Sequence, residues 1–182
     1  MGAASEPHEE IVWQGKFITA KRRGKWEYVA RARGIRAAVI LAVDDTDHVL
    51  LVEQYRVPLG RACIELPAGL IGDHDDTDGF GGEDVGAAAA RELEEETGYR
   101  AARIEPLGEF YSSPGMVSES YTMLRATGLT KISDGGGVDG EDITVHRVAL
   151  SKLAAFIADR RAKGDAIDGK LLMLLGPEIL KG

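Results

Sequence analysis

Three of the five glutamates in the stretch from Glu83 to Tyr99, E-D-V-G-A-A-A-A-R-E-L-E-E-E-T-G-Y, are Glu92, Glu95 and Glu96. Wound as a helix at about 100° per residue, they share roughly a third of the circumference. Val85, Ala89 and Leu93, spaced four apart, make the stripe that faces the core. Gly81 and Gly82 precede the helix, and Gly98 suits the left-handed position that ends one. Like charges four residues apart cost a few tenths of a kcal/mol even when exposed. A divalent cation turns that repulsion into a binding site, and Mg²⁺ takes hard oxygen ligands while keeping several waters. A glutamate-rich helix alone is more often a solvated face, so the spacing has to decide.

Glu83, seven residues, then Arg91-Glu92-Leu93-x-Glu95-Glu96-x-Gly98-Tyr99 resembles the signature of the Nudix hydrolases. In one respect the chain departs from it. Glu65-Leu66-Pro67-Ala68-Gly69 looks like the usual run into the signature, but thirteen residues separate Gly69 from Glu83 instead of the family's five, an insertion of eight. The resemblance implies an α/β/α sandwich around a mixed sheet. It also implies metal-dependent cleavage of nucleoside diphosphates linked to another moiety, with Mg²⁺ as the ion and Mn²⁺ as its alternative.

Over nearly the whole chain the likeness is to the ADP-ribose pyrophosphatase branch. Leu51 to Arg56 followed by Pro58 matches that branch, as does Pro114, sixteen residues after Gly98. What the branch implies is hydrolysis of ADP-ribose to AMP and ribose 5-phosphate. The backbone carbonyl of Ala68 with Glu92 and Glu96 would hold metal, and Glu95 would join directly or through water. Arg91 would orient these carboxylates, and Glu83 would support the helix start. Phe17 and Trp26 would sandwich the adenine, one from each subunit of a homodimer, with Glu27 and Arg31 beside them. Arg56 would recognise the diphosphate, and Leu70, Ser113 and Pro114 would line the site. Glu141 would serve as general base or as a further metal ligand, with Asp139 and Glu119 as competitors.

Blander roles stay open for several of these residues. Phe17 and Trp26 also suit strand core, Arg56 a surface ion pair, Ser-Pro-Gly a simple turn, and the insertion a surface loop. Two rival activities also remain: hydrolysis of another nucleoside-diphosphate sugar such as GDP-mannose, and ADP-ribose sensing without cleavage. The intact glutamates argue against the sensor.

The bulk properties bound the rest. A chain of 182 residues with 44% hydrophobic and 29% charged residues is an ordinary globular balance. Its net charge of −8 disfavours nucleic-acid and anionic-membrane partners. Cys63, the single cysteine, excludes an intrachain disulfide. No eighteen-residue apolar span exists, and the acidic N-terminus lacks a signal-peptide core, so a cytoplasmic location is expected. The histidines His8, His48, His74 and His146 lack zinc spacing. The Asp73–Gly79 run lacks the glutamate of a calcium loop.

Elements must position these residues. A loose tail is expected over 1–9, a hairpin of two antiparallel strands turning at Arg23-Gly24 over 10–34, and the hydrolase domain over 35–182. Within it, Ile35 to Val43 and His48 to Gln54 read as buried strands because they are continuously apolar. Further strands are expected at Cys63 to Leu66, Arg103 to Tyr111, Tyr121 to Thr127 and Ile143 to Leu150. Ser133 to Gly140 reads as a flexible loop. Ser151 is placed as the cap of a helix burying Leu153, Phe156 and Ile157. A last helix is expected from about Ile167, interrupted at Pro177.

Overall fold

The apolar runs of β4 (Arg36–Ala42) and β5 (His48–Arg56) exist because both strands are covered on both faces. Along β4, Ala38, Ile40 and Ala42 enter a core with Leu50, Ala89, Leu93 and Leu124. Val39, pointing the other way, joins Leu51, Ile64, Leu66, Leu153 and Leu171 in a second core. The period-two alternation of a strand thus feeds two cores from one sequence.

The computed structural model describes residues 8–32, 36–71, 84–138 and 140–180. Glu83, Asp139, most of the 1–9 tail and the 72–82 insertion lie outside the described residues. Among the described residues there are three sheets. The N-terminal one is an antiparallel meander of β1 (Glu9–Gln14), β2 (Ile18–Arg23) and β3 (Trp26–Arg31). The second combines β4 with β7 (Ala68–Ile71), β8 (Tyr99–Tyr111) and β9 (Ser120–Lys131) in the order β7-β4-β9-β8. Its β4–β9 pairing is parallel and the others are antiparallel. The third joins β5 to β6 (Arg61–Glu65), β10 (Thr144–Ala149) and β11 (Ala166–Ile167) in the order β10-β5-β6-β11. Helix α1 (Val85–Thr97) covers the β4 sheet. Helices α2 (Leu153–Ala162) and α3 (Leu172–Leu180) lie against the β5 sheet through Leu153, Ile157, Leu174 and Leu175.

The mixed α/β architecture matches the expectation, with differences in detail. The core holds two four-stranded sheets where one mixed sheet is expected. The N-terminal hairpin gains a strand, because Gly15-Lys16-Phe17 turns the chain, with Gly15 N–H donating to Ile18 O at 2.8 Å. Ala68–Ile71, expected in the loop, pairs with β4 as β7. Ser151 does not cap α2; it lies in a short 3₁₀ turn, Leu150–Lys152, that leads into the helix. The last helix starts at Leu172, since Ala166–Ile167 pair with Cys63–Ile64 and the Asp168 side chain accepts from Lys170 N–H at 2.8 Å. Its backbone continues through Pro177, which removes one helical donor without ending the run.

Helix α1 begins at an N-cap, Asp84, whose carboxylate accepts from Gly86 N–H and Ala87 N–H. It ends at Gly98 in the left-handed conformation (φ 74°). The glycine-rich segment expected to be flexible instead docks on this end. Gly136 N–H donates to Glu96 O at 2.9 Å and Gly137 N–H to Glu95 O at 3.0 Å. These are carbonyls of the last turn, which have no partner inside a helix. Gly135 (φ 68°) lies so close that a Cβ there would collide with the Thr97 carbonyl carbon.

Leu93 is fully buried where α1 meets β4, β5 and β9. Leu93→Ala is expected to cost about 2–5 kcal/mol, read as a lowered urea midpoint at unchanged slope.

Candidate active site

Helix α1, β7, the end of β5, and the loops after β8 and before β10 enclose a cavity of about 610 Å³. Glu92 and Glu96 enter it from α1, Ala68, Gly69 and Leu70 from β7, and Arg56 from β5. Arg31, Glu119 and Glu141 complete the charged wall, with Arg91 beside Glu92 and Lys170 reaching in from the C-terminal turn.

The carboxylates are held against backbone. Glu96 is only 5% exposed, and its Oε2 accepts from Ala68 N–H at 3.0 Å. Burial, reinforced by the neighbouring Glu92 and Glu141 charges, pushes its pKa up to about 8 despite that hydrogen bond. Glu92 is shifted the same way, chiefly by burial, with Arg91 opposing. Its side chain lies across Gly69, where a Cβ would overlap the Glu92 carboxyl carbon. Glycine at 69 is therefore what lets the second acid lie over β7. Arg91 donates to Glu95 and lies within 2.9 Å of a Glu92 oxygen, which fixes both relative to the helix. Glu141 Oε2 accepts from Val138 N–H at 3.1 Å, so the segment docked on α1 also orients this acid.

An oxygen-only donor set, two of whose acids are pushed up chiefly by burial, fits a hard divalent cation. Among the described residues, no three His, Cys, Asp or Glu side chains already converge as a finished cage.

Other expected residues lie elsewhere in the single chain. Glu95 turns to Arg91 and does not line the cavity. Phe17 and Trp26 are 62% and 60% exposed on the N-terminal sheet and do not reach the cavity. Trp26 and Pro114 instead share a separate cavity of about 390 Å³ with Tyr28. Glu27 is exposed opposite Arg22. Ser112, not Ser113, lines the cavity of about 610 Å³; the Ser113 carbonyl accepts the turn hydrogen bonds from Met116 and Val117. Arg56 does line the cavity, but Glu65 engages it through Nε at 2.6 Å and Nη2 at 2.8 Å, so part of its fork is occupied by protein.

Sequence reasoning did not single out Glu65 as Arg56's partner, or Gln54, Tyr121 and Lys170 as lining. Pairing β5 with β6 antiparallel sets Arg56 opposite Arg61 and Glu65 opposite Val52, on the same face but four positions apart, so the register alone does not disclose the first. Tyr121 follows from alternation in β9. Lys170, whose ammonium lies 5.6 Å from the Tyr121 ring centre, comes from a distant turn with no local signal.

The NUDIX domain family model matches residues 33–170. The "Methanol dehydrogenase activator" of Bacillus methanolicus is 33% identical over 126 residues, 69% of this chain and 64% of its own length. The "ADP-ribose pyrophosphatase" of Bacillus subtilis (strain 168) is 33% identical over 125 residues, 68% of this chain and 63% of its own. The chain thus spans a little under two thirds of these two relatives. The "GDP-mannose pyrophosphatase" of Yersinia pestis (strain Pestoides F) is 36% identical over 151 residues, 79% of this chain and 70% of its own. A crystal structure of an "ADP compounds hydrolase" superposes with a TM-score of 0.69 at 24% identity, covering 100% of this chain and 98% of that one. That likeness speaks for the fold. With two of its signature glutamates, Glu92 and Glu96, facing one cavity and its family match spanning most of the sequence, the chain belongs to the Nudix hydrolase family.

Proposed function

We propose that the chain is a divalent-metal-dependent diphosphatase that hydrolyses ADP-ribose to AMP and ribose 5-phosphate. The observation that carries this reading is the meeting of two opposite charge sets in one cavity: the acids Glu92, Glu96 and Glu141, and the cations Arg31, Arg56, Arg91 and Lys170. A diphosphate presents oxygens to both, through metal on one side and guanidinium on the other. Glu92, Glu96 and the Ala68 carbonyl would hold the metal, with Glu95 joining through water and Glu141 as a further ligand if it is not the base. Bound there, Mg²⁺ or Mn²⁺ would neutralise oxyanion charge and lower the pKa of a water.

The chain's own residues do the rest. Arginines hold the diphosphate, and the β7 backbone fixes the glutamates from below. Glu141 stands on the loop side of the cavity, where it takes a proton as water oxygen bonds to phosphorus and the bridging P–O bond breaks. Glu119, the competitor, is engaged by Arg31 at 2.6 Å, so Glu141 is the better base. Phe17 and Trp26, which do not line the cavity in one chain, are assigned to a homodimer in which a second copy completes the adenine site. GDP-mannose hydrolysis is the second reading, favoured by the Yersinia relative.

Hydrolysis of ADP-ribose, GDP-mannose, NADH and diadenosine polyphosphates, followed through a coupled phosphatase, tests the reading. ADP-ribose is expected to turn over fastest, only with Mg²⁺ or Mn²⁺. Glu96→Gln and Glu141→Gln should each lose roughly 10²-fold or more in kcat with the fold intact. Faster GDP-mannose turnover would move the substrate assignment, and a normal Glu141→Gln would displace the base.

A second expectation concerns pH. With Glu96 raised from 4.5 to about 8, the folded state binds its proton more tightly than the unfolded state. This contribution to stability is full below pH 4.5 and is lost as pH rises through 8. Chelated protein should therefore melt lower at pH 8.5 than at pH 5, and millimolar Mg²⁺ should restore the loss at pH 8.5. Glu96→Gln should flatten the pH dependence and reduce the Mg²⁺ effect.

Light scattering at assay concentration should give a dimer. Phe17→Ala and Trp26→Ala should each raise KM, since stacking on a base contributes roughly 1–3 kcal/mol. An active monomer contradicts the assignment.

A further inference from the structure

Three arginines face the catalytic cavity, and they are not equivalent. Arg56 gives Nε and Nη2 to Glu65. Arg91 is committed to Glu92 and Glu95. Among the described residues Arg31 gives only Nε, to Glu119 Oε1 at 2.6 Å, which leaves the two terminal nitrogens of its fork directed by a single anchor. Glu119 is itself fixed from the backbone: Val29 N–H donates to Met116 O and Ser118 N–H to Val29 O, both at 2.9 Å. These bonds lock the loop after β8 along β3, which carries Arg31.

The pair also stands at a seam. Arg31 and Glu119 line the catalytic cavity of about 610 Å³ and a second cavity of about 470 Å³ under the N-terminal sheet, walled by Thr19, Lys21 and Arg36. A nucleoside-diphosphate sugar is elongated, with its charge in the middle. Laid across the seam, it would put a moiety in each cavity and the diphosphate against Arg31.

We propose that Glu119 is a positioning residue for the substrate: it holds Arg31 at the junction of the two cavities, so that the terminal guanidinium nitrogens grip the diphosphate of a two-ended ligand. The inference rests on the proposed diphosphatase activity for its substrate class. It gives Glu119 a role in binding and none in proton transfer.

The sign of one effect separates this role from simple charge. Removing an acid from a phosphate site tightens binding on Coulombic grounds alone, whereas removing the anchor of Arg31 weakens it. Steady-state kinetics on ADP-ribose and calorimetric binding of ADP are measured for wild type, Arg31→Ala, Arg31→Lys, Glu119→Ala, Glu119→Gln and Arg31→Ala/Glu119→Ala. Expected are a KM and an ADP Kd raised about tenfold in both alanine variants, a smaller rise in Glu119→Gln, kcat within about threefold of wild type, and an unmoved kcat pH profile. The double variant should bind no worse than Arg31→Ala, because the second change removes an anchor with nothing left to hold. Tighter ADP binding in Glu119→Ala, multiplying effects in the double variant, or a collapse of kcat with a lost pH limb each overturn the proposal. Should Arg31→Ala fail to fold, Arg31→Lys, which keeps the charge and loses the fork, carries the comparison. If wild type cleaves no nucleoside-diphosphate sugar, the activity reading fails by itself, and the ADP affinities still decide the role of Glu119.

Discussion

The contact on which the site depends is the meeting of the α1 carboxylates with the backbone of β7. Glu96 accepts from Ala68 N–H, and Glu92 lies over Gly69. Two acids are thereby brought out of water with one backbone donor and one arginine as compensation. Left alone, that arrangement opposes folding, since burying uncompensated charge is costly. It persists because α1 is pinned along its other face by Ala88, Ala89 and Leu93. The packing of small and branched apolar residues under the helix holds the charges where a cation is wanted.

The cations are organised on a different principle. Each arginine in the cavity has a protein acid attached to it, by two hydrogen bonds at Arg56 and by one at Arg31. An arginine tied at one point keeps its direction and still has donors to spend on a ligand. The basic residues are therefore graded in availability, and counting them would overstate the positive potential offered to substrate. With a net charge of −8 over the chain, local pairing of this kind decides where an anion can settle.

How much of this could be read in the sequence depended on whether the determinant was local. Helix α1 was legible in its stripe, its carboxylate spacing and its terminal Gly98, all within one segment. The apolar runs of β4 and β5 disclosed burial on two faces but could not say that two sheets divide them, because that depends on which strands pair. The extra N-terminal strand was missed because Gly15-Lys16-Phe17 carries only a weak turn signal. Glu65 and Lys170 escaped for another reason: their importance lies in partners far along the chain. Gly69 was visible as part of a motif, yet the reason for it, the closeness of Glu92, is a purely three-dimensional fact.

The docking of the 133–138 segment on the end of α1 has a consequence for how the chain tolerates change in length. The carbonyls of Glu95 and Glu96 receive Gly137 and Gly136, and Glu141 follows within a few residues. Both halves of the acidic set are thus measured out from one helix terminus. Adding or removing a residue between Gly135 and Glu141 would shift one acid against the others. The eight extra residues of this chain fall instead before Asp84, upstream of the cap. There a change of length need only be absorbed ahead of the helix, and the distances among its carboxylates are untouched. The exit of the helix is thus the end at which chain length is tied to the geometry of the acids.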